Sequence, residues 1–437
     1  MQQKSKTLIN SAQWLTLSTV FMLCYWPTYI IPALDDHTVQ KVYFFIMLGY
    51  FLIVTLATRT TIKVPSTAYV YLFPIVAMLI TFCFSVPNFS FFHISVLVKP
   101  FLLFLFVVFF YSLFTTHFDA VNSDKIKKAL TIIFVMQLVF ILLQIVLGDI
   151  DVLMLFNSKK VYEGFGFRAP GTFDWVYITC YFLTFFLSVY IIEAFFGKNK
   201  LIALIFIACA FLAIFLSQSK TGYLATIIIA FYFTFLSVIL RLGIATKILI
   251  SMFTLLVLFI VFVIYFEINL DYVTRFLSYL LQGKMDGSTS TRTKQTIIAL
   301  NEGFTYWYKG SPLALEGLII ENTYLDYLFR YGLFGLIAFI SIIVIFYSYS
   351  LSVCINANKL YRKGLLNFQM FQLSVGCHMT FFAASLYSFT GTPIDAYRSA
   401  LWSCFVISLS SYINTLIKRQ SKLLSTPTTP EIAALEK

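Results

Sequence analysis

Runs of about 20 apolar residues recur from one end of this chain to the other, each long enough to cross a ~30 Å hydrocarbon core as an α-helix. In lipid the backbone has no water to bond to, so such runs resolve as helices whose N–H and C=O groups pair within the segment. Spans are expected near 8–31, 41–58, 66–84, 94–115, 129–148, 175–196, 201–216, 222–240, 248–266, 323–350, 368–390 and 399–417. Charged residues make up 11% of the chain and hydrophobic ones 60%. A soluble domain carries about 25% charged residues, so this chain could not be solvated. The expected fold is therefore all-α: one integral membrane domain over residues 1–437, a polytopic bundle of about twelve spans. The first run is too long for a signal-peptide core and has no small-residue cleavage site after it, so it reads as a retained helix.

Orientation follows from the short loops. Lys4 and Lys6, Arg59 and Lys63, Lys125 with Lys127 and Lys128, Lys198 and Lys200, Arg241 and Lys247, Lys359 with Arg362 and Lys363, and Lys418 with Arg419 and Lys422 fall in alternate loops. The other set offers little beyond Lys41, Lys220 and Arg398. That asymmetry puts both termini in the cytoplasm and an even number of spans between them. The net charge of +12 is mostly this topology signal, with attraction to anionic lipid as a by-product. It gives no reason to invoke nucleic acid. The seven cysteines fall within expected spans or, for Cys354, just past one, and read as packing residues. The four histidines have no ligand-like spacing, so no metal or cofactor is expected.

Two longer loops, 149–174 and 267–322, fall on the non-cytoplasmic side. Loops of this length are commonly functional, and both are rich in aromatic and aliphatic residues. In the second, a surface helix is expected near 291–309, with Ser288, Thr289 or Ser290 as its cap. Its apolar stripe would be Ile297, Leu300, Phe304 and Trp307, and Gly310-Ser311-Pro312 would stop it. Such a helix would lie on the membrane face or over a cavity mouth. Arg292 would sit in its first turn, where the macrodipole disfavours a cation, so an anionic neighbour is expected.

Arg168 lies in a Gly- and aromatic-rich run that leaves little reason for a loose surface arginine. Lys99, before Pro100, falls in the outer third of the fourth span. An intramembrane charge of this kind is either functional or snorkels to the interface. Arg330, one turn after Asp326, reads as half of a helix-internal ion pair. Asp149-Ile-Asp151 spells the D-x-D of soluble glycosyltransferases, but no such domain is present and a solvated helix end is the plainer reading. Asp35-Asp36 reads as a turn or cap.

Three stretches together resemble the O-antigen polymerase and O-antigen ligase superfamily of bacterial surface-polysaccharide assembly. Arg168-Ala-Pro-Gly171-Thr172-Phe173 is similar to the family's Arg-x-x-Gly-Thr-Phe run. Ser217-Gln-Ser219-Lys220-Thr221-Gly222 resembles its Ser-x-Ser-Arg-x-Gly turn, with Lys in place of the commoner Arg. Glu321-Asn322, then nine residues, then Gly332-Leu-Phe-Gly335 is similar to the ligase-type pattern that begins His-Asn. Glu321 in place of that His points to a polymerase or a relative rather than a ligase.

The resemblance implies an inverting, metal-independent transfer between glycans on undecaprenyl pyrophosphate, at the outer face of the bacterial cytoplasmic (inner) membrane. The donor and acceptor would both be lipid-linked, and a flippase and a chain-length regulator would be partners. Arg168, Lys220 and Arg292 would neutralise the pyrophosphate leaving group, a demand that cations must meet where no metal does. Lys99 would join them in binding substrate. Glu321 would be the general base and Asn322 would orient the acceptor, while Gly332 and Gly335 would let a neighbouring helix pack closely. A competing reading is a lipid-linked oligosaccharide flippase. Such transporters show two related halves, and residues 1–200 and 201–437 share no matching segments.

Overall fold

The computed structural model describes residues 2–29, 36–84, 91–119, 123–157, 162–163, 166–173, 175–265, 278, 282, 287–316 and 318–425. Among them the chain is helical, apart from one two-residue antiparallel ladder between β1 (Tyr162–Glu163) and β2 (Gly166–Phe167). The helices are α1 (Gln2–Tyr25), α2 (Asp36–Ala57), α3 (Leu72–Phe84), α4 (Phe91–His117), α5 (Ser123–Leu147), α6 (Asp151–Met154), α7 (Val176–Phe196), α8 (Lys200–Leu216), α9 (Lys220–Ile239), α10 (Ala245–Tyr265), α11 (Gly287–Thr305), α12 (Thr323–Arg362), α13 (Phe368–Tyr387) and α14 (Tyr397–Ser425). A 3₁₀ turn, Ser66–Tyr71, leads into α3.

Each of the twelve apolar runs lies on one of these helices. Among the described residues, seven helices are both long and apolar enough to cross a membrane: Ser66–Phe84, Leu97–His117, Asp124–Leu147, Val176–Phe196, Lys220–Ile239, Thr323–Arg362 and Tyr397–Lys422. Lys41–Ala57 and Lys200–Leu216 are apolar but shorter.

Burial separates the centre of the bundle from its rim. α7, α13 and α14 are buried nearly all round, as a helix apolar on every face must be. Trp402 of α14 inserts among Phe182, Phe185 and Phe186 of α7, with ring centroids 4.6–5.8 Å away. At the rim the pattern inverts. Leu52, Ile53 and Leu56 of α2, Phe231 and Phe235 of α9, and Ile337, Ile340 and Val344 of α12 are exposed. An apolar belt of this extent is not tolerated in water. The chain is a membrane protein.

Polar side chains inside the bundle join helices to one another. His378 of α13 is fully buried and bonded on both ring nitrogens, to Tyr232 of α9 at 2.6 Å and to Ser350 of α12 at 3.1 Å. Glu193 of α7 takes Lys127 of α5 at 2.5 Å and Gln372 of α13 at 3.0 Å. A polar group in hydrocarbon is costly unless it is bonded, so such pairs fix which helices are neighbours. Five of the cysteines, Cys24, Cys180, Cys354, Cys377 and Cys404, are buried as packing residues; Cys83 is exposed at the end of α3.

The two longer loops differ in detail from expectation. Asp151 opens the short helix α6 and Asp36 opens α2, so neither needs a catalytic account; Asp35 lies outside the described residues. α11 begins at Gly287 and ends at Thr305, four residues earlier than expected at each end. It stops early because the Trp307 carbonyl accepts the N–H of Leu333 from α12, at 2.6 Å, while the chain turns away at Gly310 with φ +75°.

Candidate functional site

Glu321 precedes α12 and Arg292 lies in the second turn of α11, and the structure brings the two together. Arg292 Nε donates to Glu321 Oε2 at 2.7 Å, and each side chain is 39% exposed. Arg292 is thus the sixth residue of its helix rather than part of the first turn. Glu321 is nonetheless the anionic neighbour expected of it, although past the first turn the macrodipole no longer demands one. Gln295, one turn further along α11, accepts the Glu321 backbone N–H at 3.3 Å. Ala299 and Gly303 continue that face against α12; a Cβ on Gly303 would meet Leu328 Cγ at 2.6 Å. Small residues at 299 and 303 are what let α11 approach closely enough for Arg292 to reach Glu321.

Glu321 does not cap the helix that follows it. Asn322 does, with its Oδ1 accepting the Leu325 N–H at 3.2 Å, as an asparagine at this position is well suited to do. One lone pair of its oxygen is committed to the cap. Thr323, next along, is bonded to Ser388 O through its N–H at 2.9 Å and to Gly391 O through its hydroxyl. Gly391 lies under Tyr177, where a Cβ would meet the phenolic oxygen at 2.6 Å. Tyr177 is in turn within electrostatic reach of Glu321 and Arg292. The start of α7, the 388–396 turn, α11 and the start of α12 therefore converge on one carboxylate.

The other two motifs pack against the next turn of α7. Ser217 Oγ lies 3.2 Å from Cys180 Sγ, and a Cβ on Gly222 would sit 2.6 Å from the same sulfur. Ser219 caps α9 by accepting the Gly222 N–H at 3.0 Å, which leaves Lys220 at the helix start. Arg168 is within electrostatic reach of both Cys180 and Tyr223. Tyr177 and Cys180 are three residues apart and share a face of α7. The Arg292–Glu321 pair is thus within electrostatic reach of Tyr177 and Arg168 of Cys180, three residues along one buried helix.

Most of the Arg-x-x-Gly-Thr-Phe run holds the turn rather than any substrate. Gly171, at φ +67°, exchanges two bonds with the Gln144 amide, at 2.8 and 3.0 Å, and Thr172 Oγ donates to Gln137 Oε1 at 2.9 Å. Arg398, 3% exposed, donates to Thr172 O, to Trp26 O at 2.5 Å and to Thr28 Oγ at 3.0 Å. Arg398 reads from sequence as a loop charge. It is a buried clamp tying α14 to this turn and to the end of α1. Gln137 and Gln144, seven residues apart on one face of a largely apolar span, were a signal of the buried turn but not of Arg398.

Lys99 is engaged elsewhere. Its Nζ lies 2.7 Å from Asp395 Oδ1 and 5.3 Å from the centre of the Tyr397 ring. Asp326 and Arg330 form the expected ion pair at 2.7 Å, and Asp326 lies within electrostatic reach of both Lys99 and Asp395. These four charges make a separate, internally paired cluster, and Asp395 was not singled out in the sequence.

Gly332 has φ +64° and ψ −158° and breaks α12; a Cβ there would sit 2.7 Å from the Trp307 carbonyl carbon. The close approach expected of this glycine is real, but what approaches is the turn after α11, not a helix. No protein-family model matches the chain, and no characterised protein matches it by sequence.

Proposed function

We propose that the chain is a membrane glycosyltransferase that polymerises undecaprenyl-pyrophosphate-linked oligosaccharide units into a bacterial surface polysaccharide. The observation that carries this reading is the Arg292–Glu321 pair: a carboxylate able to take a proton, held beside a guanidinium able to hold a phosphate. Arg168 and Lys220 supply further positive charge. In the reaction, the acceptor hydroxyl oxygen attacks the anomeric carbon of the donor and forms the new glycosidic bond. The bond from that carbon to the pyrophosphate oxygen breaks, and its electron pair leaves on the lipid pyrophosphate, where the cations neutralise it. The hydroxyl proton passes to Glu321. Attack from the face opposite the leaving group inverts the anomeric centre.

The same reading assigns twelve crossings of the bacterial cytoplasmic membrane, both termini inside, and residues 267–322 outside with the site. The flippase that delivers repeat units and a chain-length regulator are its partners. Alkaline phosphatase inserted after Lys294 is expected to be active. An inactive fusion would reverse the orientation and remove the site from the face where lipid-linked units are joined.

The activity is tested by the lipid-linked glycans of a strain lacking the chain. Surface lipid capped with a single repeat unit is the expected result. Polymer accumulating on its lipid carrier would make the protein a ligase, and single units trapped inside the cell would make it a flippase.

A further inference from the structure

We infer that α11 is an interfacial helix, docked on the outer-leaflet lipid surface by one face while another face presents Arg292 to Glu321. At 100° per residue, the exposed surface of α11 divides into two sectors. Ile297 and Phe304 are 54% and 60% exposed, and Leu300 lies between them at 36%. Trp307, 49% exposed, extends the same stripe into the following turn. Lys294, Asn301 and Thr305, also exposed, form a separate polar sector roughly a quarter-turn away. The third sector, Arg292, Gln295, Ala299 and Gly303, faces the protein. A helix standing in water would carry polar residues across its whole exposed surface, and one buried in the bundle would have no polar sector. Three sectors fit a helix lying at a boundary, with protein, lipid and water each meeting one of them.

The occupant of the apolar sector follows from what it adjoins. Tyr308, just beyond the stripe, meets Phe84 edge to face at 5.6 Å, and Phe84 belongs to the exposed apolar rim of α3. Leu333, Ile337, Ile340 and Val344 form the exposed stripe of α12 directly below the break at which the Trp307 turn is bonded. The apolar face of α11 is thus continuous with the lipid-facing rim of two helices that are long enough to cross the membrane. At the join, Lys309 Nζ lies 5.4 Å from the Tyr306 ring centre and 5.7 Å from that of Tyr308, beside Trp307. Aromatic rings with a cation among them are the composition found at the depth of lipid headgroups, where lysine also meets anionic lipid. Docked this way, α11 holds Arg292 near the plane of lipid phosphates, the depth at which a lipid-linked pyrophosphate arrives. The choice of the outer leaflet and that last step rest on the proposed function; docking on lipid itself does not.

The test uses the full chain in nanodiscs of phosphatidylethanolamine and phosphatidylglycerol, with exposed Cys83 and half-buried Cys209 replaced by alanine. Nitroxide labels are placed singly on cysteines introduced at 297, 300 and 304, and at 294, 301 and 305. All six positions are exposed or at the edge of exposure, so the labels do not disturb packing. Collision with oxygen, which concentrates in lipid, is expected to dominate at the first three positions. Collision with a water-soluble nickel chelate is expected to dominate at the second three. Equal access of the nickel chelate to both sets would place the apolar face in water and overturn the proposal. Shielding of 297, 300 and 304 from both reagents would mean that protein covers the stripe, and would overturn it equally. Neither failure touches the glycan assay above, so loss of the docking and loss of the polymerase reading are told apart.

Discussion

Purified Glu321→Gln protein is expected to bind lipid-linked donor at least as well as the parent chain, yet to extend it ~10²–10⁴-fold more slowly, the usual range for loss of a general base. Gln keeps the size and much of the hydrogen bonding of Glu321 but cannot take the acceptor proton. The structure adds a reason to expect binding to hold. Arg292 Nε donates to Glu321, so on the proposed reaction carboxylate and pyrophosphate would compete for one guanidinium. Removing the carboxylate charge would free Arg292 for phosphate, whereas in the parent chain, on the proposed reaction, an arriving donor would draw Arg292 away and leave Glu321 as the base. The substitution should not unfold the protein, because an ion pair as exposed as this one stabilises by only ~0.2–1 kcal/mol. Membrane abundance measured beside glycan length makes the result decisive. Near-normal chain lengths from a well-expressed variant would remove Glu321 from the chemistry.

The helical class was legible because apolar length is a local property, and each of the twelve runs lies on a helix. The Arg292–Glu321 pairing was legible only by halves: a cation read as lying in a first turn, and a carboxylate at a motif position. What joins them is the small-residue face at Ala299 and Gly303. Arg398 was misread for a different reason. Loop arginines carry the topology signal, and nothing local distinguishes one that turns inward to three acceptors contributed by distant segments. The Lys99–Asp395 pair has the same character, since its partners are far apart in the chain. The Gly171-Thr172 run was read with Arg168 as one motif. Its glycine and threonine are consumed by Gln144, Gln137 and Arg398, which ties that part of the run to the turn itself.

Gly332→Ala should be among the most damaging single-methyl substitutions in the chain, destabilising it by roughly 2–4 kcal/mol, the sum of a strained backbone and a displaced hydrogen bond. At φ +64° and ψ −158°, Gly332 occupies a region that residues with a Cβ essentially do not enter. The new methyl would also point at the Trp307 peptide, whose carbonyl bonds to the Leu333 N–H at 2.6 Å. Relief is blocked on that side, because Gly310, at φ +75°, is itself pressed against the Arg330 peptide, and Ser311 N–H bonds Phe329 O at 2.7 Å. The break also has a reason to exist. Forty residues of unbroken helix would run about 60 Å, twice a ~30 Å hydrocarbon core, so the Thr323–Tyr331 stretch must leave the axis of the span. Gly364→Ala is the control: φ is +70° there too, but a Cβ meets nothing within 4 Å, so only the backbone cost remains. Thermal unfolding in detergent should place Gly332→Ala clearly below Gly364→Ala. Its transfer activity should fall further than its stability, because a displaced Trp307 turn moves α11 and takes Arg292 away from Glu321. Equal shifts for the two variants would mean that the Trp307 turn can yield, and that the break is not what holds Arg292 in register.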